Sequence, residues 1–143
     1  MTKKVNLIIG DSPPPGAVIF NPDGTIGRTP DSPEARHRWI IQKMTLNIQR
    51  EPQNGEWYAE RSTAYMKLGL YPEAISDLDK LIELEPSWTT AYHFRGICHF
   101  YIGNKQNAWE DLKDFKNVVR AEYQDKETIR IIDELEKEIK QNF

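Results

Sequence analysis

The chain repeats itself once, with a period of about 34 residues. Tyr58, Arg61, Gly69, Ala74, Asp77 and Leu78 recur, without a gap, as Tyr92, Arg95, Gly103, Ala108, Asp111 and Leu112. A unit of this length cannot bury its apolar face alone, so successive units must stack and share a core. Stacked helix pairs leave a groove along one side. A groove points to a binding partner rather than to a reaction.

Start and stop signals divide the two units into four helices, expected at about 55–68, 72–84, 88–102 and 105–121. Pro72 opens the second and Gly69 closes the first, since proline is preset for a helix start and glycine for its end. Upstream, Ile41, Ile48, Glu51 and Pro52 align with Ile75, Ile82, Glu85 and Pro86 at the same shift. Residues 32–52 therefore read as the second half of a degenerate repeat. Their helix begins with Ser32 as N-cap, Pro33 in the first helical position and Glu34 near the positive dipole end. It carries Ile40, Ile41, Met44 and Ile48 as an apolar stripe. Downstream, a last helix is expected over 126–141 behind an Asp125 N-cap. Thr128, Ile131, Ile132, Leu135 and Ile139 share one face, and Asp133–Lys137 and Glu136–Lys140 can pair on the other. One apolar side and one charged side suit a helix that caps a stack.

Residues 1–31 differ from the rest: they hold five of the nine prolines and no helical period. Lys4–Ile9 and Ala17–Phe20 are β-prone, separated by a stretch containing Pro13, Pro14 and Pro15 that reads as a spacer. Asn21-Pro22-Asp23-Gly24 is a strong turn signal. It suggests a small hairpin of Ala17–Phe20 against Thr25–Arg28, the alternative being an extended tail lying on the helices. The expected division is an N-terminal segment, 1–31, and a helical domain, 32–143.

The repeated residues resemble the tetratricopeptide repeat family, whose signature runs W-x2-L-G-x2-Y, A-x3-F, then P. The first unit, about 55–86, reads Tyr58-x2-Arg61-Ser62-x2-Tyr65, Ala74-x3-Leu78, Pro86. The second, about 89–120, reads Tyr92-x2-Arg95-Gly96-x2-His99, Ala108-x3-Leu112, with Arg120 in place of the closing proline. The resemblance implies an all-α fold: a short right-handed α-solenoid of antiparallel helix pairs, about six helices in all. It also implies that the first helix of each unit lines the concave face. The positions this carries over as partner-binding are Thr63, Met66 and Lys67 in the first unit and His93, Ile97, Phe100 and Tyr101 in the second. Around them stand Glu56, Ala59 and Thr90. Some members hold acidic peptide C-termini with lysines and asparagines here. Ala59, Thr63, His93 and Ile97 at the matching places speak against such a clamp and against a chaperone-adaptor role.

The second set is aromatic and apolar, as interface anchors are. Two readings of it stand open: a partner takes these side chains, or the C-terminal helix or N-terminal segment covers them. Asp77 follows Arg61 at the same interval at which Asp111 follows Arg95. In an antiparallel helix pair that spacing can join guanidinium to carboxylate. The expectation is a structural ion pair in each unit; the alternative is a pair of arginines awaiting an acidic ligand.

Little else points to chemistry. Cys98-His99, with His93 nearby, fits no common zinc spacing. Cys98 aligns with Ala64 and His99 with Tyr65, so both read as packing, and His37 stands alone on the first helix. No phosphate loop, nucleophile elbow or H-E-x-x-H motif occurs. No metal, cofactor or catalytic residue is expected. A net charge of −3 gives no bulk pull toward nucleic acid. No apolar run is long enough to span a membrane. Lys3, Lys4 and the short patch broken by Asn6 make a poor secretory signal, and a single cysteine fits a reducing compartment, so a cytoplasmic protein is expected. The composite reading is a scaffold or adaptor that holds a peptide, helix or loop of another protein. The alternatives are an immunity-type inhibitor of a toxin or enzyme, a homodimer formed through the aromatic groove or the Trp109 region, and, from another class, an enzyme.

Overall fold

The computed structural model describes residues 17–20, 23–28, 32–115 and 125–142 of the chain. The Lys4–Ile9 run, the triple proline, Asn21, Pro22 and Arg120 lie outside them. Six α-helices occur among the described residues: α1 (Pro33–Arg50), α2 (Gly55–Lys67), α3 (Tyr71–Leu84), α4 (Thr89–Tyr101), α5 (Lys105–Leu112) and α6 (Lys126–Asn142). Each helix packs on its successor from α1 to α5, and α6 packs on α5 and α4. This is an all-α solenoid of helix pairs. Two short strands, β1 (Val18–Phe20) and β2 (Ile26–Arg28), pair antiparallel with Ile19 opposite Gly27. Asp23 Oδ1 accepts from the Thr25 amide at 2.9 Å within their turn.

The helix ends follow from local chemistry. Ser32 Oγ accepts from the Ala35 amide at 3.1 Å, and the Asn54 side chain accepts from the Glu56 amide at 3.1 Å. Each cap thereby satisfies an amide that has no partner within its own helix. α2 and α4 both end on a glycine in the left-handed region, Gly69 at φ +71° and Gly103 at φ +82°. The amide one residue later then returns to the last turn: Leu70 N donates to Tyr65 O and Asn104 N to His99 O, each at 2.9 Å. Two tyrosines fasten the loops between units in the same repeated way. Tyr58 Oη donates to Pro52 O at 2.9 Å, and Tyr92 Oη to Pro86 O at 3.1 Å.

The core falls into two clusters. Tyr58, Ala74, Leu78, Leu81, Ala91 and Cys98 join α2, α3 and α4. Ala108, Leu112, Ile131, Ile132 and Leu135 join α5 to α6, with Ile97, Phe100 and Trp109 against them. Small residues mark where the helices of a unit come closest. A Cβ on Gly96 would sit 2.5 Å from Leu112 Cγ, and Ser62, its counterpart one unit earlier, is fully buried.

One boundary departs from expectation. The fifth helix, expected to reach 121, leaves α geometry after Leu112 and tightens into a 3-10 turn over Lys113–Phe115; residues 116–121 lie outside the described part. Tightening of this kind is common at helix ends. Here it accompanies a tertiary contact, because the Phe115 ring stacks on His93 of α4 with centroids 5.6 Å apart. Among the described residues no helix is long and apolar enough to cross a membrane.

Candidate functional site

Each arginine of the repeat reaches two helices from a third. Arg61 on α2 donates through Nε to Asp77 Oδ2 at 2.8 Å and through Nη2 to Asp77 Oδ1 at 2.6 Å, the forked geometry that only a guanidinium supplies. Its remaining Nη1 donates to Thr45 Oγ1 on α1 at 3.0 Å. That hydroxyl can accept because it spends its own proton on Ile41 O. Arg95 repeats the arrangement: a fork to Asp111 at 2.7 Å through both nitrogens, and Nη1 to Asp79 Oδ1 at 2.8 Å. Thr45 and Asp79 are themselves one repeat period apart. The second arm therefore belongs to the repeat as much as the first, and it ties each unit to the helix before it. Pattern matching missed this arm because threonine and aspartate do not look alike in a sequence. Only their shared ability to accept a hydrogen bond relates them. Burial pushes the Asp77 carboxyl above its ordinary range even with Arg61 beside it.

The positions carried over as partner-binding divide into two groups. His93, Ile97 and Phe100 are taken up by the chain's own last helix. His93 Nε2 lies 2.8 Å from Thr128 Oγ1 of α6, and burial lowers the imidazole pKa while Asp125 opposes that. Ile97 and Phe100 pack on the α5–α6 cluster, and the Arg130 guanidinium sits 5.9 Å above the Phe100 ring. The physical reason lies in α6, whose buried stripe of Thr128, Ile131, Ile132 and Leu135 needs an apolar seat. These three thus contact α6 or the cluster it forms with α5, and all three stay partly exposed.

Thr63, Met66, Lys67 and Tyr101 form the second group. Thr63 and Met66 are half-buried on α2, with Thr63 Oγ1 donating to Ala59 O at 3.1 Å. Lys67 is exposed at the end of α2 and lines an open pocket of about 440 Å³ with Pro33, Glu34, His37, Arg38, Leu68 and Leu70. Tyr101 is exposed at the end of α4, stacked on Tyr71 with centroids 5.1 Å apart and its hydroxyl bonded to Glu127. Nothing in the local sequence marked His37, which looked solitary. The repeat shift does mark it: His37 and Lys67 stand one period before Tyr71 and Tyr101.

Two further side chains bear on chemistry. The Cys98 thiol is fully buried, and burial pushes its pKa up to about 12. Glu60 on α2 is pushed up to about 7, first by burial and also by Glu56, against the pull of Lys43. Among the described residues no group of three or more histidine, cysteine or acidic side chains is placed to hold a metal ion.

No family model matches the chain. The chain is 36% identical over 81 residues to the Hsp70-Hsp90 organizing protein 3 of Arabidopsis thaliana, a match covering 57% of this chain and 14% of the relative. It thus spans a small part of the length of the curated relatives it matches. Among solved structures, it resembles the TPR2B domain of yeast Sti1 in a complex with pHsp70, at 27% identity, TM-score 0.57, 77% of this chain and 87% of that one. It also resembles the second TPR domain of human RPAP3 in complex with an HSP70 peptide, at 25% identity, TM-score 0.59, 72% of this chain and 83% of that one.

Proposed function

We propose that this chain, whose fold is that of tetratricopeptide-repeat domains, works as a protein-interaction module that holds a short segment of a partner protein. The observation that carries the proposal is the fit to two domains whose structures were solved in complex, one with an HSP70 peptide and one with pHsp70. The binding unit is the helical part, 32–143, and its open face is built on α2: Thr63 and Met66, with Lys67 and Tyr101 at one end. The inner face of α4 contributes less than its aromatic residues suggest, because α6 holds Ile97 and Phe100. This leaves a short site, suited to a few anchoring side chains rather than to a long wrapped partner. The matching inner positions, Ala59, Thr63, His93 and Ile97, lack lysine and asparagine. The partner is therefore read as a segment other than an acidic C-terminus held in an inner clamp.

The chain is also read as non-catalytic. Its one thiol is buried with a raised pKa, and a thiol needs the thiolate form to act as a nucleophile. A single buried cysteine supports a reducing, cytosolic setting. The test is recovery of partners from the source cell by the full chain and by a Thr63→Glu/Met66→Glu variant of unchanged helicity. A partner recovered by the wild type and lost from the variant supports the α2 face. Equal recovery by both would remove it.

A further inference from the structure

The structure carries a second surface, on the edge where the first helix of each unit turns into the second. Three of the large apolar residues exposed among the described part gather there: Leu70 at 39%, Tyr101 at 44% and Ile102 at 44% of full exposure. They are not scattered. Tyr71 stacks on Tyr101 at an interplanar angle of 15°, and Leu70 precedes Tyr71 in the chain. The stack and the pocket beside it are one repeat position used twice. In the second joint it holds two tyrosines. In the first it holds His37 and Lys67, with Arg38 on the same pocket wall.

The two joints differ in charge as well as shape. Among the described residues Lys67 has no acidic partner, and it is close enough to His37 to depress that imidazole, as Arg36 also does after the larger effect of burial. Arg38 is partly neutralised by Glu34 at 2.9 Å. The first joint therefore holds positive charge not yet balanced, opening onto Leu68 and Leu70. The second holds a flat aromatic and aliphatic ledge. A solitary exposed leucine needs no explanation, but apolar residues in a row beside a cationic pocket mark a contact surface.

We propose that this turn edge binds an extended acidic–apolar segment of a partner protein, with a carboxylate side chain in the Lys67–His37 pocket and an apolar side chain on the Leu70–Tyr71–Tyr101 ledge. The proposal rests on the reading of the chain as a protein-interaction module but not on Thr63 and Met66 of the inner face, which this edge adjoins through Lys67 and Tyr101. Charge complementarity selects the occupant: the pocket wall carries Lys67 and Arg38 against Glu34 alone, so an anionic group balances it and a basic segment would add to the excess. The apolar ledge selects a protein segment over a small inorganic anion, which would gain nothing from Leu70 or Tyr101.

The test uses the full chain and a fluorescein-labelled peptide of alternating glutamate and leucine, read by fluorescence anisotropy. Its counterpart with lysine for glutamate is the control. The expected result is binding of the acidic peptide only, weakened about tenfold or more by Lys67→Glu and separately by Leu70→Asp, a loss of roughly 1.4 kcal/mol each. Lys67→Arg should retain it, and raised salt should weaken it because the pocket is open to solvent. A Thr63→Ala/Met66→Ala variant, which adds no carboxylate beside Lys67, should bind this peptide as the wild type does, which separates failure here from failure of the inner face. Three results would overturn the proposal. One is that neither peptide binds. Another is a loss on Lys67→Glu with none on Leu70→Asp together with competition by inorganic phosphate, the signature of a plain anion site. The third is tighter binding to phosphatidylserine vesicles than to the peptide, which would mark a membrane contact.

Discussion

Replacing Arg61 by alanine should be among the most damaging changes at any polar position of this chain. The guanidinium is 17% exposed and the Asp77 carboxylate 5%, so the pair is largely out of water. Removing the arginine strands that carboxylate and leaves Thr45 without its donor. Breaking a buried pair from one side costs about 3 kcal/mol or more, because the remaining charge stays desolvated without its partner. With an unfolding entropy near 2.1 cal/mol/K per residue, this corresponds to a fall of roughly 10 °C in melting temperature. Circular dichroism melts and urea titrations read it directly. Arg61→Lys should fall between, since an ammonium cannot make the fork. The Arg61→Met/Asp77→Leu double change should recover most of the loss, because it removes both desolvated charges together. The raised Asp77 pKa agrees: its burial outweighs the attraction of its partner. If Arg61→Ala melts within about 2 °C of wild type, well inside the shift expected from a stranded charge, and binding is lost instead, the arginine serves a ligand and the structural account fails. A double variant as unstable as the single would refute the desolvation argument on its own.

Three other outcomes follow from particular contacts. Gly96→Ala should destabilise the chain by about 1–3 kcal/mol in the same melts, because the added methyl meets Leu112 where the helices of the unit touch. Ser62→Gly, one unit earlier, should cost much less. The Glu60 carboxyl rises from 4.5 to about 7 on folding, so between those values the folded chain binds more protons than the unfolded one. Stability should then decline as pH rises through that window, and Glu60→Gln should flatten the decline and melt higher at pH 8. Cys98 should resist a thiol reagent at pH 8 in the folded chain and react fully in urea; fast reaction of the native chain would show that α4 opens readily.

What the sequence settled by itself depends on residues close in the chain or on like residues repeated along it. The recurrence of Tyr58 through Leu78 as Tyr92 through Leu112 set the helix pairs. Ser32, Gly69 and Gly103 are local signals acting over a single turn, so most helix boundaries lie within a residue or two of those read from the sequence. The Arg–Asp spacing was visible for the same reason: it recurs. Tertiary structure decided what depended on who arrives next to whom. The α6 stripe needed an apolar seat and found it beside Ile97 and Phe100. The fifth helix tightened where Phe115 meets His93. The second arm of each arginine joined Thr45 and Asp79, residues of unlike type that share only an accepting oxygen. The turn edge came into view only when His37 of α1 and Lys67 of α2, distant in sequence, were found sharing one pocket. Local propensity acts through the chain and can be read along it. Desolvation and charge act through space, and there the packing of α1 on α2 and of α6 on α4 had the final word.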